Sequence, residues 1–202
     1  MQMNSLETSG NHVISAVDEL VRVLSPTSDL DWNLPTPSLD WTQAQTAIHT
    51  MRACLEYSYQ VVGKNMETYQ PILFEKKEGA TPADFLSMIA TAGRVLQRVV
   101  ETSSLNDRAW HSYGISDPVG FAAMGVVEVT VHTYDLAKGF GVDFVPPKEL
   151  ADFAIERLFR DTVEIPSVSE SDSGNLLLWC AGRIELKNSP QREGWKWDGR
   201  VR

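Results

Sequence analysis

Glu128 and His132 stand four residues apart in VVEVTVHTYDLAKGFG (residues 126–141), and Asp135 follows about one turn later. Residues at i and i+4 share one face of a helix, so the carboxylate and the imidazole project side by side, with Phe121 below and Asp135 above. From Val119 to Val131 the remaining residues are apolar or small, which predicts a helix buried nearly all round. An unpaired buried carboxylate is costly, so Glu128 must be neutral, paired or bound to a cation. Two chemistries satisfy that demand. Glu and His one turn apart inside a bundle can hold a metal ion, and a Glu–His hydrogen bond without metal serves as well. The bare E-x-x-x-H spacing does not choose between them.

A third ligand would favour the metal, and three further histidines remain. His12, near the start of the first helical pattern, and His111, in DRAWHSYG, read as solvated. His49 lies two turns into the second helical segment. Its helical neighbours Gln45, Arg52, Ala53 and Glu56 form a more polar face than the stripe of Ala44, Ile48, Met51 and Leu55. Periodicity therefore gives His49 no support as a core-facing ligand. Cys54 and Cys180 form no C-x-x-C motif; they read as reduced, small core residues, and their number excludes a cysteine zinc site.

The elements that must position these groups are helical. Val13, Val17, Leu20, Val21 and Leu24 recur at helical spacing in the first segment. After a Pro-, Ser- and Asp-rich loop, Thr42 and Gln45 form a capping box opening a second helix, with Gly63 as its stop. Trp41, just before that cap, reads as a hydrophobic staple. Thr81 with Pro82, and Asp117 with Pro118, open the third and fourth helices; the third runs to about Thr102 and the fourth to Gly139 or Gly141. KNMETYQPILFEKKEGA between the second and third is irregular. A fifth helix, KELADFAIERLFRDTV, follows Pro146 and Pro147. The boundary is placed at residue 164, with 165–202 as a C-terminal extension: the polar linker SVSESDSG, the apolar NLLLWCAGRIEL, and a tail whose Trp195 and Trp197 share one face lying on the bundle. Four long helices with long connections predict an all-α bundle with a fifth helix and the tail packed outside.

The chain has 202 residues, enough for one sizeable core. A net charge of −9 disfavours nucleic acid and anionic lipid as partners. No apolar run approaches the roughly eighteen residues of a membrane span, and MQMNSLETSG has no signal-peptide pattern, so a cytoplasmic protein is expected.

LDWTQAQTAIHTM (residues 39–51) resembles the W-T-x6-H signature of the DinB-like family, in particular the N-terminal domain of mycothiol-dependent maleylpyruvate isomerases. VVEVTVHTYDLAKGFG resembles that family's later E-x3-H-x2-D-L-A segment, and the two occur in the family's order. The resemblance spans roughly Leu6 to Leu158, with LLLWCAGR matching loosely beyond it. It implies an up-down-down-up four-helix bundle and places a metal triad on His49, Glu128 and His132, with Asp135 supporting the second histidine. Two histidines and one carboxylate leave coordination positions open, which suits Zn2+ and also accommodates Ni2+, Fe2+ or Mn2+.

The implied activity is that of a metal- and thiol-dependent isomerase or S-transferase, using a low-molecular-weight thiol such as mycothiol on small electrophiles. A dicarboxylate substrate would call for an arginine clamp, for which Arg52 and Arg183 are the candidates. The family's full isomerases carry a larger C-terminal domain than the short tail here. The alternative is a non-catalytic bundle whose site is structural, regulatory or empty. A homodimer is compatible with either, and nothing in the sequence fixes its interface.

Overall fold

The computed structural model describes residues 2–37, 39–162 and 172–201. Its elements are α1 (Gln2–Leu24), α2 (Gln43–Gly63), α3 (Pro82–Thr102), α4 (Pro118–Gly139), α5 (Lys148–Leu158) and α6 (Ser173–Cys180), with no strand among the described residues. Three helices begin at the caps read from the sequence. Thr42 accepts from the Gln45 amide at 3.2 Å while the Gln45 side chain accepts from the Thr42 amide at 2.8 Å. Thr81 and Asp84 make the same reciprocal pair, and Asp117 Oδ1 accepts from the Gly120 amide at 2.7 Å.

Helix ends were less legible. α2 runs through Gly63, and the left-handed residue that ends it is Lys64 (φ 49°), whose ammonium pairs with Asp107 at 2.7 Å. The fifth helix stops at Leu158, short of the expected DTV, because Phe159 leaves helical geometry and turns into the core. Of the polar linker, residues 167–171 and the junction near 165 lie outside the described residues. Asp172 caps α6, and Ser173 and Gly174 open it.

The first four helices form an up-down-down-up bundle. The His49–Glu128 and Tyr57–Phe121 pairs run in opposite chain directions, so α2 and α4 are antiparallel. α1 and α3 are antiparallel too, since Gly10 faces Glu101 while Val17 faces Gly93. Trp32 gathers one end of the bundle: its carbonyl accepts from Ala44 at the start of α2, and its ring meets Phe85 of early α3 and Phe140 just beyond α4. The starts of α2 and α3 therefore lie together with the end of α4. Leu20, Ile89, Leu96, Phe121, Met124 and Leu136 fill the interior completely buried. Glycine brings backbones close at two crossings. A Cβ on Gly93 would sit 2.5 Å from Val17 Cγ2, and one on Gly125 would sit 2.6 Å from Leu96 Cδ2. α5 packs on α4 and α6 on α5, and the tail returns to α4, where Arg183 meets Asp135 and Gly199 faces Met124.

Candidate metal centre

α4 is buried on nearly every face, as its composition requires, and Glu128, His132 and Asp135 follow one another along one of them. Glu128 Oε2 lies 3.1 Å from His49 Nε2 and 3.3 Å from His132 Nε2. The ligand atoms of the three residues all fall within 4.8 Å of one another, and the two imidazoles meet edge to face. His49 thus faces inward from α2, contrary to the polar character of its helical neighbours. The reason is local: the buried Glu128 carboxylate stands opposite, so the polar side of α2 finds a charged partner inside the bundle.

Each of the three side chains is held from behind. His132 Nδ1 lies 2.9 Å from Asp135 Oδ2, which fixes the ring and leaves Nε2 toward Glu128. Asp135 is gripped in turn by Arg183, whose Nε and Nη2 each lie 2.9 Å from one of its oxygens, while Nη1 donates to the Ala181 carbonyl. The Tyr57 hydroxyl donates to Glu128 Oε1 at 3.2 Å. Arg52 reaches His49 Nδ1 at 3.2 Å and pairs with Glu56 at 3.5 Å.

The electrostatics follow from burial working against pairing. Burial disfavours the Glu128 carboxylate, but hydrogen bonds from His132 and His49 outweigh it and hold the group far below the usual carboxylate range. Burial also opposes charge on His132, and the bonds to Asp135 and Glu128 again prevail, lifting it to about 9. Asp135 is depressed by His132 and Arg183 in spite of its burial. Burial, reinforced by the Glu128 charge, raises Tyr57 well above an ordinary phenol, so it remains a donor.

Above this cluster lies a cleft of about 350 Å³ walled by Trp41, Tyr57, Tyr69, His111, Trp195 and Trp197, among others. A neighbouring groove of about 480 Å³ shares Trp41 and His49 with it and carries Gln45, Arg52 and Lys76. Trp41, just before the α2 cap, has its ring 4.7 Å from that of His49 and 6.2 Å from that of His132. His111 is not solvated: it is 4% exposed and packed among Tyr57, Tyr69 and Trp197. His12 is not solvated either. It stacks on Phe153 at 4.4 Å, with Glu149 3.4 Å away, remote from the centre. Cys54 and Cys180 are buried free thiols, and burial pushes Cys54 up to about 12.

Residues 13–137 match the profile of the family described as Mycothiol maleylpyruvate isomerase N-terminal domain. The chain belongs to that family. No curated protein and no solved structure matches it. The family match takes in His49, Glu128, His132 and Asp135, whereas Arg183, Trp195 and Trp197 come from beyond it. In this member of the N-terminal domain family, then, residues outside the matched region complete the wall of the cleft. Tyr57 and the cleft role of His111 escaped the sequence reading. Tyr57 carried a usable signal, standing at i+8 from His49 on the same face.

Proposed function

We propose that His49, Glu128 and His132 hold a divalent metal, Zn2+ foremost, and that the protein is a cytoplasmic thiol-dependent isomerase or S-transferase acting on small electrophiles. The observation that carries the reading is the convergence of three ligand atoms within 4.8 Å at the floor of a cleft. The donor set fits: two imidazole nitrogens and one carboxylate, contributed by two helices, with open space on the cleft side. Ni2+, Fe2+ and Mn2+ suit the same donors. A divalent metal bound there would supply Lewis acidity, lowering the pKa of a coordinated thiol.

The chain's own residues supply the rest. Asp135 and Arg183 fix the His132 ring so that Nε2 faces the cleft, and Tyr57 immobilises the Glu128 carboxylate. Aromatic rings wall the space above them. The groove bearing Gln45, Arg52 and Lys76 offers polar contacts to the hydrophilic body of a thiol cofactor such as mycothiol, which the family name suggests. A thiolate that adds to an activated carbon–carbon double bond and leaves again permits rotation about it, which is isomerisation; one that displaces a leaving group completes S-transfer. Neither cysteine is required as nucleophile.

A metal-free reading has its own support. Glu128 is already paired through both oxygens, so the cluster is a satisfied network as it stands. Two measurements separate the readings. Elemental analysis and calorimetric titration with Zn2+ are expected to give one ion per chain, and thiol-dependent turnover of an electrophile panel is expected to vanish in His49→Ala. Absence of stoichiometric metal after reconstitution would leave only the structural network.

A further inference from the structure

We propose that the cleft above the His–Glu–His cluster takes an uncharged aromatic electrophile and discriminates against dicarboxylates. This deepens the function proposed above and rests on it for treating the cleft as a substrate site.

Three observations carry the inference. First, the wall is built from flat rings: Trp41, Tyr69, Trp195 and Trp197 line it, and Trp195 and Trp197 lie 5.9 Å apart in a tilted pair. Stacking surfaces of this kind recognise an arene by offset and edge contacts. Second, the cleft lacks an anion clamp. Among the described residues Arg183 is the one lysine or arginine on its wall, and each of its three nitrogens already donates to Asp135 or to the Ala181 carbonyl. Its charge is balanced where it stands, so it offers little to a ligand carboxylate. Third, the other groups on the wall that could carry positive charge close to the cluster, His49 and His132, are already engaged by the Glu128 and Asp135 carboxylates, so like Arg183 they are balanced where they stand. Even with a divalent cation at Glu128, the second charge of a dicarboxylate would have no cationic partner. Arg52, the other sequence candidate for a clamp, lines the neighbouring groove.

The test uses the full chain stripped of metal by a chelator, so that carboxylate–metal ligation cannot contribute. Binding of benzylideneacetone, a neutral aryl enone, is compared with binding of trans-cinnamate, in which a carboxylate replaces the acetyl group. Calorimetry and ligand-observed NMR read both. The enone is expected to bind at least about tenfold more tightly, and Trp197→Leu to weaken it roughly three- to tenfold. Tyr69→Leu serves the same purpose should the tryptophan variant fail to fold. Equal or tighter binding of cinnamate overturns the proposal, as does failure of both probes to bind or undiminished enone binding in a folded variant. Zn2+ uptake is titrated separately on the same protein. Enone preference without metal uptake removes the metal function and leaves the ligand preference standing; metal uptake without enone preference does the reverse.

Discussion

Arg183 grips both carboxylate oxygens of Asp135, and that same carboxylate holds the Nδ1 side of His132. A residue of the C-terminal tail thereby sets the orientation of an imidazole on the central helix. Replacing Arg183 with Gln would strip Asp135, whose side chain is 2% exposed, of its guanidinium partner and leave His132 alone beside it. Breaking a buried pair on one side costs about 3–5 kcal/mol. Loosening a ligand's supporting partner lowers metal affinity roughly 10- to 100-fold. We expect Arg183→Gln to show both effects, by urea unfolding and by competition against a chromophoric zinc chelator. Affinity unchanged in a folded variant would mean that the tail does not support the site.

If the native chain binds the metal and the unfolded chain does not, metal stabilises the fold by mass action. Free Zn2+ at a hundredfold excess over Kd adds about 2.7 kcal/mol. For a chain of this size that corresponds to a rise in Tm of roughly 5–10 °C. The shift should be reversed by chelator and absent from Glu128→Gln and His49→Ala. Calorimetric scans of the three proteins with and without metal provide the check, and a shift that survives in both variants would locate the ion elsewhere.

The cysteines offer a negative test of where the nucleophile comes from. Both thiols are buried, and burial raises each above its ordinary value, Cys54 to about 12. Since the thiolate is the reactive species, neither should react with an aromatic disulfide reagent at neutral pH until the protein unfolds. Two equivalents should then titrate. Fast labelling of native protein, or loss of turnover in Cys54→Ala, would implicate a protein thiol.

Local signals carried the frame of this molecule but only half of its centre. The capping boxes at Thr42 and Thr81 and the Asp117–Pro118 start are short-range patterns, and each opened a helix where read. Glu128, His132 and Asp135 were legible together because helical spacing alone places them on one face. His49 was not, since a polar face ordinarily means solvent; here it meets Glu128 inside the bundle, and only the family resemblance pointed to it. Arg183 and Trp197 meet the site across 48 and 86 residues of chain respectively, counting from Asp135 and His111 (183 − 135 and 197 − 111), and no local periodicity encodes such pairings. The burial of His111 escapes local reading for a similar reason: Tyr113 from its own loop packs on it, but Tyr57, Tyr69 and Trp197 come from elsewhere in the chain.

That burial gives His111 a measurable pH signature. The Tyr113 amide donates to its Nδ1 at 3.0 Å, so that nitrogen must be an acceptor and the ring neutral. Burial lowers the group from 6.5 to about 4, and the Glu128 carboxylate offsets only part of the drop. Above pH 6.5 the ring is neutral in both folded and unfolded chains, and its contribution to stability is complete. As pH falls from 6.5 toward 4 the unfolded chain takes up a proton that the folded chain refuses, so stability declines, by at most roughly 3 kcal/mol. Below 4 both states are protonated and this loss levels off. Carboxylates also titrate in that range, so the informative quantity is the difference between wild type and His111→Phe, in which their contributions largely cancel. Urea unfolding at intervals from pH 7.5 to 4 should show wild type losing stability more steeply than the variant, with the divergence beginning near 6.5. Parallel curves would mean that His111 titrates normally and is open to water.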